Sequence, residues 1–214
     1  MIVRPWIVAT LVACAACGGK LPETRYYQLA APAAKPPGGD LLLVLETLTT
    51  DAAYDDDRIV YRTTPFRLDY YQYQRWSSSP GLMVGNYLEQ AFETSGRFRG
   101  VVREMTPDAP VVLAGRVLAI EEVDRSSTAW LGRVVVELML TDARTSEVLW
   151  SAQLEETEPL PQMTPEGLAQ ALSIAMSRIA AQAIPVVAEL TERQARAHAD
   201  VLSPKAMSRP RAAP

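Results

Sequence analysis

Three groups of residues in this 214-residue chain have the types and spacing to do chemistry. The first is a pair of thiols. Leu11-Val12-Ala13-Cys14 has the pattern of a bacterial lipobox, in which small residues fit a signal peptidase and the cysteine sulfur takes a diacylglycerol before cleavage. Lipid attachment, with palmitate among the acyl groups, is therefore expected at Cys14. Cys14-Ala15-Ala16-Cys17 offers a second register, with Cys17 as the acceptor, and a cleaved secretory signal carrying two incidental thiols is a third reading. The chain has no other cysteine, so its folded part builds neither a disulfide nor a thiolate metal site.

The second group is a run of aromatics alternating with cations: Tyr54, Arg58, Tyr61, Arg62, Tyr70, Tyr71, Arg75 and Trp76. Tyrosine and tryptophan bury much apolar area while keeping a polar handle, and arginine stacks its plane on both. The mixture suits a partner-binding surface, because Tyr, Trp and Arg are enriched at interfaces. It equally suits a hairpin tied to the helix that follows it. Composition alone leaves both readings open.

The third group is acidic, Asp51 with Asp55, Asp56 and Asp57. A calcium loop would need the glycine and terminal glutamate of an EF-hand, both missing here, so a solvated turn with Asp57 paired to Arg58 or Arg62 fits better. Gly18-Gly19-Lys20 lacks the spacing of a phosphate loop. His198 is the only histidine, in a charged helical end, and no Ser-His-Asp arrangement or histidine metal cluster can be built around it. No catalytic residue, metal or cofactor is expected.

These groups need elements to hold them. Arg4 and the apolar Trp6–Ala13 segment form a signal peptide over residues 1–13, too short to span a bilayer. Residues 14–25 read as a lipidated tether, and 26–198 as a single domain with a proline- and glycine-rich loop at 30–40. Residues 199–214, with three prolines and three cations, read as a disordered basic tail. The formal charge of −4 becomes −5 once Arg4 is removed, and no basic stripe remains to neutralise a phosphate backbone, which argues against nucleic acid.

Within the domain, Tyr26–Leu29 reads as a first strand and the unbroken apolar run Leu41–Leu48 as a central strand buried on both faces. Arg58–Arg62 and Phe66–Tyr73 form a hairpin-like pair around Thr63-Thr64-Pro65. Leu68 and Tyr70 share one face, and Asp69 and Tyr71 the other. Ser79-Pro80 opens a helix whose stripe is Val84, Tyr87, Leu88, Ala91 and Phe92, and which Ser95-Gly96 ends. Phe98–Arg103 is a further strand. Val111–Val123, Trp130–Thr141 and Glu147–Glu156 alternate and are joined by short polar turns, the pattern of an antiparallel meander. Leu168, Leu172, Ala175, Ile179 and Ala183 stripe a second helix from Thr164, which Pro185 should kink or interrupt. The fold class is α+β, a mostly antiparallel β-sheet packed against two helices.

Cys14 behind a lipobox, Tyr26-Tyr27-Gln28-Leu29 close after it, then Tyr54, Arg58-Ile59-Val60-Tyr61-Arg62, Tyr70-Tyr71, Arg75-Trp76, Pro80 and a helix ending Ser95-Gly96-Arg97-Phe98 resemble the ABC-type transport auxiliary lipoprotein family, including its paraquat-inducible protein C type. The likeness runs over most of residues 14–190. It implies a periplasmic α+β domain working with a mammalian-cell-entry (MCE) domain protein and an inner-membrane ABC transporter to move lipids across the envelope, with some members assembling into rings. It carries over no catalytic residue, and the Tyr/Arg/Trp positions come across as signatures only. Ala15 after Cys14, with no aspartate there, is similar to enterobacterial lipoproteins sorted to the periplasmic face of the outer membrane. The alternative is an outer-membrane lipoprotein that regulates a periplasmic cell-wall synthase.

Overall fold

The computed structural model describes residues 22–33 and 38–202. Cys14, Cys17, the signal segment, most of the tether, the middle of the 30–40 loop and the tail beyond residue 202 lie outside the described residues. The strands are β1 (Arg25–Tyr27), β2 (Leu41–Leu45), β3 (Thr49–Thr50), β4 (Arg58–Thr64), β5 (Arg67–Trp76), β6 (Phe98–Val102), β7 (Val111–Ser126), β8 (Ala129–Asp142) and β9 (Val148–Pro159). A short 3-10 turn, Ala52–Tyr54, precedes β4. The helices are α1 (Pro80–Thr94) and α2 (Pro165–Leu202).

One sheet holds all nine strands, and β7 is its hub. Along one edge of β7, three successive segments lie parallel to it: β2 beside Val112 and Leu113, β3 beside Arg116 and Val117, and β4 beside Glu121 to Val123. Its other edge pairs antiparallel with β8, and β8 with β9, in the meander expected from the short polar turns. Strand β6 runs parallel beside β2, β5 folds back antiparallel on β4, and β1 runs parallel beside β5.

Five of the eight strand pairings are parallel, so the sheet is mixed, and the expectation of a mostly antiparallel sheet is corrected. The reason is physical. A hairpin leaves a local turn signal, whereas parallel partners are joined by long crossovers that leave none. The same gap misplaced the centre. β2 is fully buried at Leu43, Val44 and Leu45, but it lies between β6 and β7, next to the sheet's edge.

Both helices cover one face. Val134, Val136, Leu138 and Leu140 of β8 are fully buried beneath Leu168, Leu172, Ala175, Ile179 and Ala183 of α2, the stripe that the 3.6-residue period gives. A Cβ on Gly132 would meet Ala171 and Leu172 at 3.2 Å, so the absent side chain sets how closely α2 approaches β8. Helix α2 is long and apolar enough to cross a membrane, yet that apolar stripe is spent on the sheet. It also runs through Pro185 without the interruption that was one of the two expectations. Ala183 on one side of the proline and Val187 and Ala188 on the other are fully buried, so packing holds both halves where the lost hydrogen bond would have parted them. Helix α1 begins after Ser79, whose carbonyl accepts from the Met83 amide while its hydroxyl makes no capping bond. It ends at Gly96, whose φ of +76° lets the chain turn back into β6.

Candidate functional site

The alternation of β4 and β5 divides the aromatic and cationic run between two faces. Residues opposite one another in a ladder share a face. Val60 opposes Glu121 and Tyr70, and Arg62 opposes Leu68, whereas Tyr61 opposes Glu122 and Asp69. Arg58, Arg62 and Tyr70 therefore lie on the face away from the helices, and Tyr61 and Tyr71 on the helix side. The pairing slips between Tyr70 and Arg75, a bulge that turns the end of β5 inward and leaves Trp76 at 1 % exposure in the core.

On the outer face, Glu121 of β7 is fully buried and is held from three sides. Tyr54 donates its hydroxyl to Oε2 at 2.6 Å, Arg62 reaches the same oxygen at 3.1 Å, and Arg133 of β8 donates to Oε1 at 2.9 Å. Arg62 also donates to the Pro65 carbonyl at 2.9 Å, and Arg133 to Glu155 at 2.8 Å. Burial, with the carboxylate as acceptor and neighbour, pushes the Tyr54 phenol up to about 12, so it stays a donor. A buried charge with this many donors is compensated, and the cluster locks β4, β7, β8 and the Ala52–Tyr54 turn together.

Above this cluster the Arg58 guanidinium lies 4.5 Å from the centre of the Tyr70 ring, and the Tyr70 hydroxyl donates to the Ala53 carbonyl at 3.1 Å. Arg58 also forms a two-nitrogen fork on Asp56 at 2.9 and 3.1 Å, which holds that carboxyl down near about 2. Asp57 pairs with Arg75, on the neighbouring strand, and not with Arg58 or Arg62 as the sequence led us to expect. The Arg58 amide also donates to Asp56 Oδ1 at 2.9 Å, so this carboxylate is held by backbone and side chain of the same residue.

On the helix side, Glu122 is fully buried, and Tyr71 donates to its Oε1 at 2.8 Å. Its Oε2 and the Oδ1 of Asp124, two residues along the same face, have no hydrogen-bond partner among the described residues. Burial drives Glu122 up to about 7 and raises Asp124 as well, the Asp124 carboxylate making Glu122 harder to ionise. The Tyr61 ring packs 5.0 Å from Tyr71, screening this pair from water.

His198 is likewise engaged. Its Nε2 lies 2.7 Å from Asp142 Oδ2, while Asp142 Oδ1 accepts from the Arg144 and Thr145 amides at 2.7 and 2.6 Å. Asp142 sits below the usual carboxylate range through the Thr145, Arg144 and His198 bonds, which outweigh its burial. This pins the end of α2 to the β8–β9 turn. Among the described residues no group of three or more His, Cys, Asp and Glu side chains is placed to hold a metal.

Sequence reasoning found the aromatic and cationic half of the site and missed its buried carboxylates. Glu121 and Glu122 stand back to back inside the apolar run of β7, and two charges in a strand destined for burial were the signal available. A groove of ≈ 840 Å³ lies between α1, α2 and the Gln28–Ala33 segment, lined by Leu29, Met83, Tyr87 and Ile174 among others.

The family model for the ABC-type transport auxiliary lipoprotein component matches residues 27–183. A DUF330 protein from Xanthomonas campestris overlays with a TM-score of 0.64 at 18 % identity, covering 84 % of this chain and all of its own. A second, uncharacterized protein overlays at 0.63 and 15 % identity, covering 78 % of this chain and 99 % of its own. Among curated proteins none matches the chain.

Proposed function

The chain belongs to the ABC-type transport auxiliary lipoprotein component family, and from that premise we propose that it is a non-enzymatic subunit of an MCE-domain and ABC-type lipid transport system, anchored through Cys14 in the periplasmic face of the outer membrane. The observation that carries this reading is the match over residues 27–183, which spans α1, the first half of α2 and every strand but the start of β1. The site geometry supports it. The ionisable groups around β4, β5 and β7 are spent on one another, which suits a rigid scaffold better than a centre that must bind and release protons in turnover.

The open part of the outer face is where the MCE-domain partner would sit. Arg58 stacked on Tyr70, which is 37 % exposed, forms a flat cation–aromatic platform fixed from below by Asp56 and the Ala52–Tyr54 turn. Tyr54 and Trp76 are internal and act through stability. The short tether favours a partner that comes to this membrane over a distant cell-wall synthase: eleven residues separate Cys14 from Arg25, a reach of at most about 36 Å.

The test is affinity purification of the C-terminally tagged lipoprotein from detergent-solubilised envelopes, with mass spectrometry of proteins and lipids. Recovery of an MCE protein or its transporter, lost in Arg58→Glu and Tyr70→Ala while the melting temperature holds, supports the reading, and the intact mass of the complex reports whether copies form a ring. Recovery of a cell-wall synthase with neither transport component replaces it with the regulator.

A further inference from the structure

Phe66 is 97 % exposed, the most open large apolar side chain among the described residues. It stands at the tip of the β4–β5 hairpin, where Thr63, Thr64, Pro65 and Arg67 are exposed too. One exposed phenylalanine is ordinary by itself, so its surroundings decide what it can do.

The register fixes what lies around it. Arg62 aligns with Val123, so this turn projects beside the β7–β8 turn, whose Arg125 to Ala129 are all exposed. Leu131 aligns with Pro159, which brings the β9–α2 connection to the same end, with Met163 47 % exposed. Three consecutive connections thus make one end of the molecule, carrying Phe66, Met163 and the cation Arg125.

The direction of β1 points the anchor at this same end. β1 runs parallel to β5, with Arg25 beside Gln74, so the chain before Arg25 comes from the Phe66 side. Phe66 lies eight residues before Gln74, about 26 Å along the strand at about 3.3 Å per residue. Cys14 lies eleven residues before Arg25, at most about 36 Å away. A leash extended along the strand direction therefore carries the acylated cysteine about 10 Å past the level of the tip, so the tip lies within its reach. From Cys17 the leash would end level with Phe66.

We infer that the Phe66 end is a membrane-docking surface, in which Phe66 enters the lipid interface and Arg125 meets anionic headgroups. The inference rests on the lipid anchor assigned above. Phenylalanine beside a cation is the chemistry of shallow interfacial insertion, and acyl chains with a second contact hold a domain in one orientation where chains alone let it tumble. The partner platform would then face sideways along the membrane, its height fixed by the sheet.

The test uses the full acylated chain in vesicles of phosphatidylethanolamine and phosphatidylglycerol. An environment-sensitive fluorophore is placed at Phe66→Cys or, at the opposite end of the sheet, at Met105→Cys, each in a Cys17→Ser background. The expected result is blue-shifted emission quenched by spin-labelled lipid at position 66, and neither at position 105. Equal response at both, or none at 66 in protein whose mass shows the acyl chains, overturns the inference while the anchor stands. A blue shift at 66 that grows with protein concentration and resists the lipid quencher marks contact between copies and also overturns it. Missing acylation by mass would strike the anchor itself. Labelling at Thr128→Cys, in the neighbouring turn, keeps the test open if Phe66→Cys folds poorly, and lipid quenching there is expected.

Discussion

Replacing Glu122 with Gln should remove a pH dependence from the stability of this fold while keeping its hydrogen bonds. The glutamine carbonyl can accept from Tyr71 at the place of Oε1, and its neutral amide stands in for the protonated carboxyl. The magnitude follows from the shift. Glu122 holds its proton up to about 7, against an ordinary value of 4.5. Below 4.5 both folded and unfolded chains carry the proton, and nothing is lost. Between 4.5 and about 7 the unfolded chain has released it and the folded chain has not, so stability falls as pH rises. Above about 7 the loss is complete, about 3 kcal/mol at about 1.4 kcal/mol per unit. Glu122→Gln should therefore match the parent near pH 4 and exceed it by about 3 kcal/mol near pH 8, or roughly 6–12 °C in melting temperature for a domain of this size. Thermal unfolding followed by circular dichroism at both pH values reads the difference. A stability difference between the two proteins that is flat with pH would refute the proton held on Glu122.

Trp76→Ala should cost about 3–5 kcal/mol, because the indole is buried and no relaxation of the bulged strand fills the hole, and denaturant unfolding measures it. Cys14→Ser should abolish palmitate labelling; label retained in that variant would move the anchor to Cys17. Asp142→Asn should free the end of α2 and speed amide exchange in its last turns, with β8 protected as before, and the parent's extra protection there should fade as acid protonates Asp142, whose folded value lies below its ordinary one.

How much was legible depended on sequence distance. Periods of two and of 3.6 gave β7, β8, β9 and both helices, since Val134 to Leu140 and Leu168 to Ala183 carry the pattern locally. The parallel neighbours of β7 were not legible, because nothing in Leu41–Leu45 or Arg58–Thr64 names Val112 or Glu121 as the partner. The site divided in the same way. Tyr and Arg could be collected by type, but their assignment to two faces needed the register, and the bulge before Trp76 decides its burial. Glu121 looked like a strand residue until Tyr54, Arg62 and Arg133 arrived from three other segments.

The position of β7 as hub also sets an order of assembly. The meander β7–β8–β9 and α2 are joined by short links and can close as soon as that half exists, whereas β2, β3 and β4 cannot join the rest of the sheet until residues 111–126 are present. A chain delivered amino end first exposes the apolar β2 and the aromatic hairpin before their partner strand has arrived, an aggregation hazard that a holding chaperone would relieve. Pulsed hydrogen exchange during refolding should find the amides of β7, β8 and β9 protected ahead of those of β1 and β2. The amino-terminal half of the sheet is thus the last to become structured.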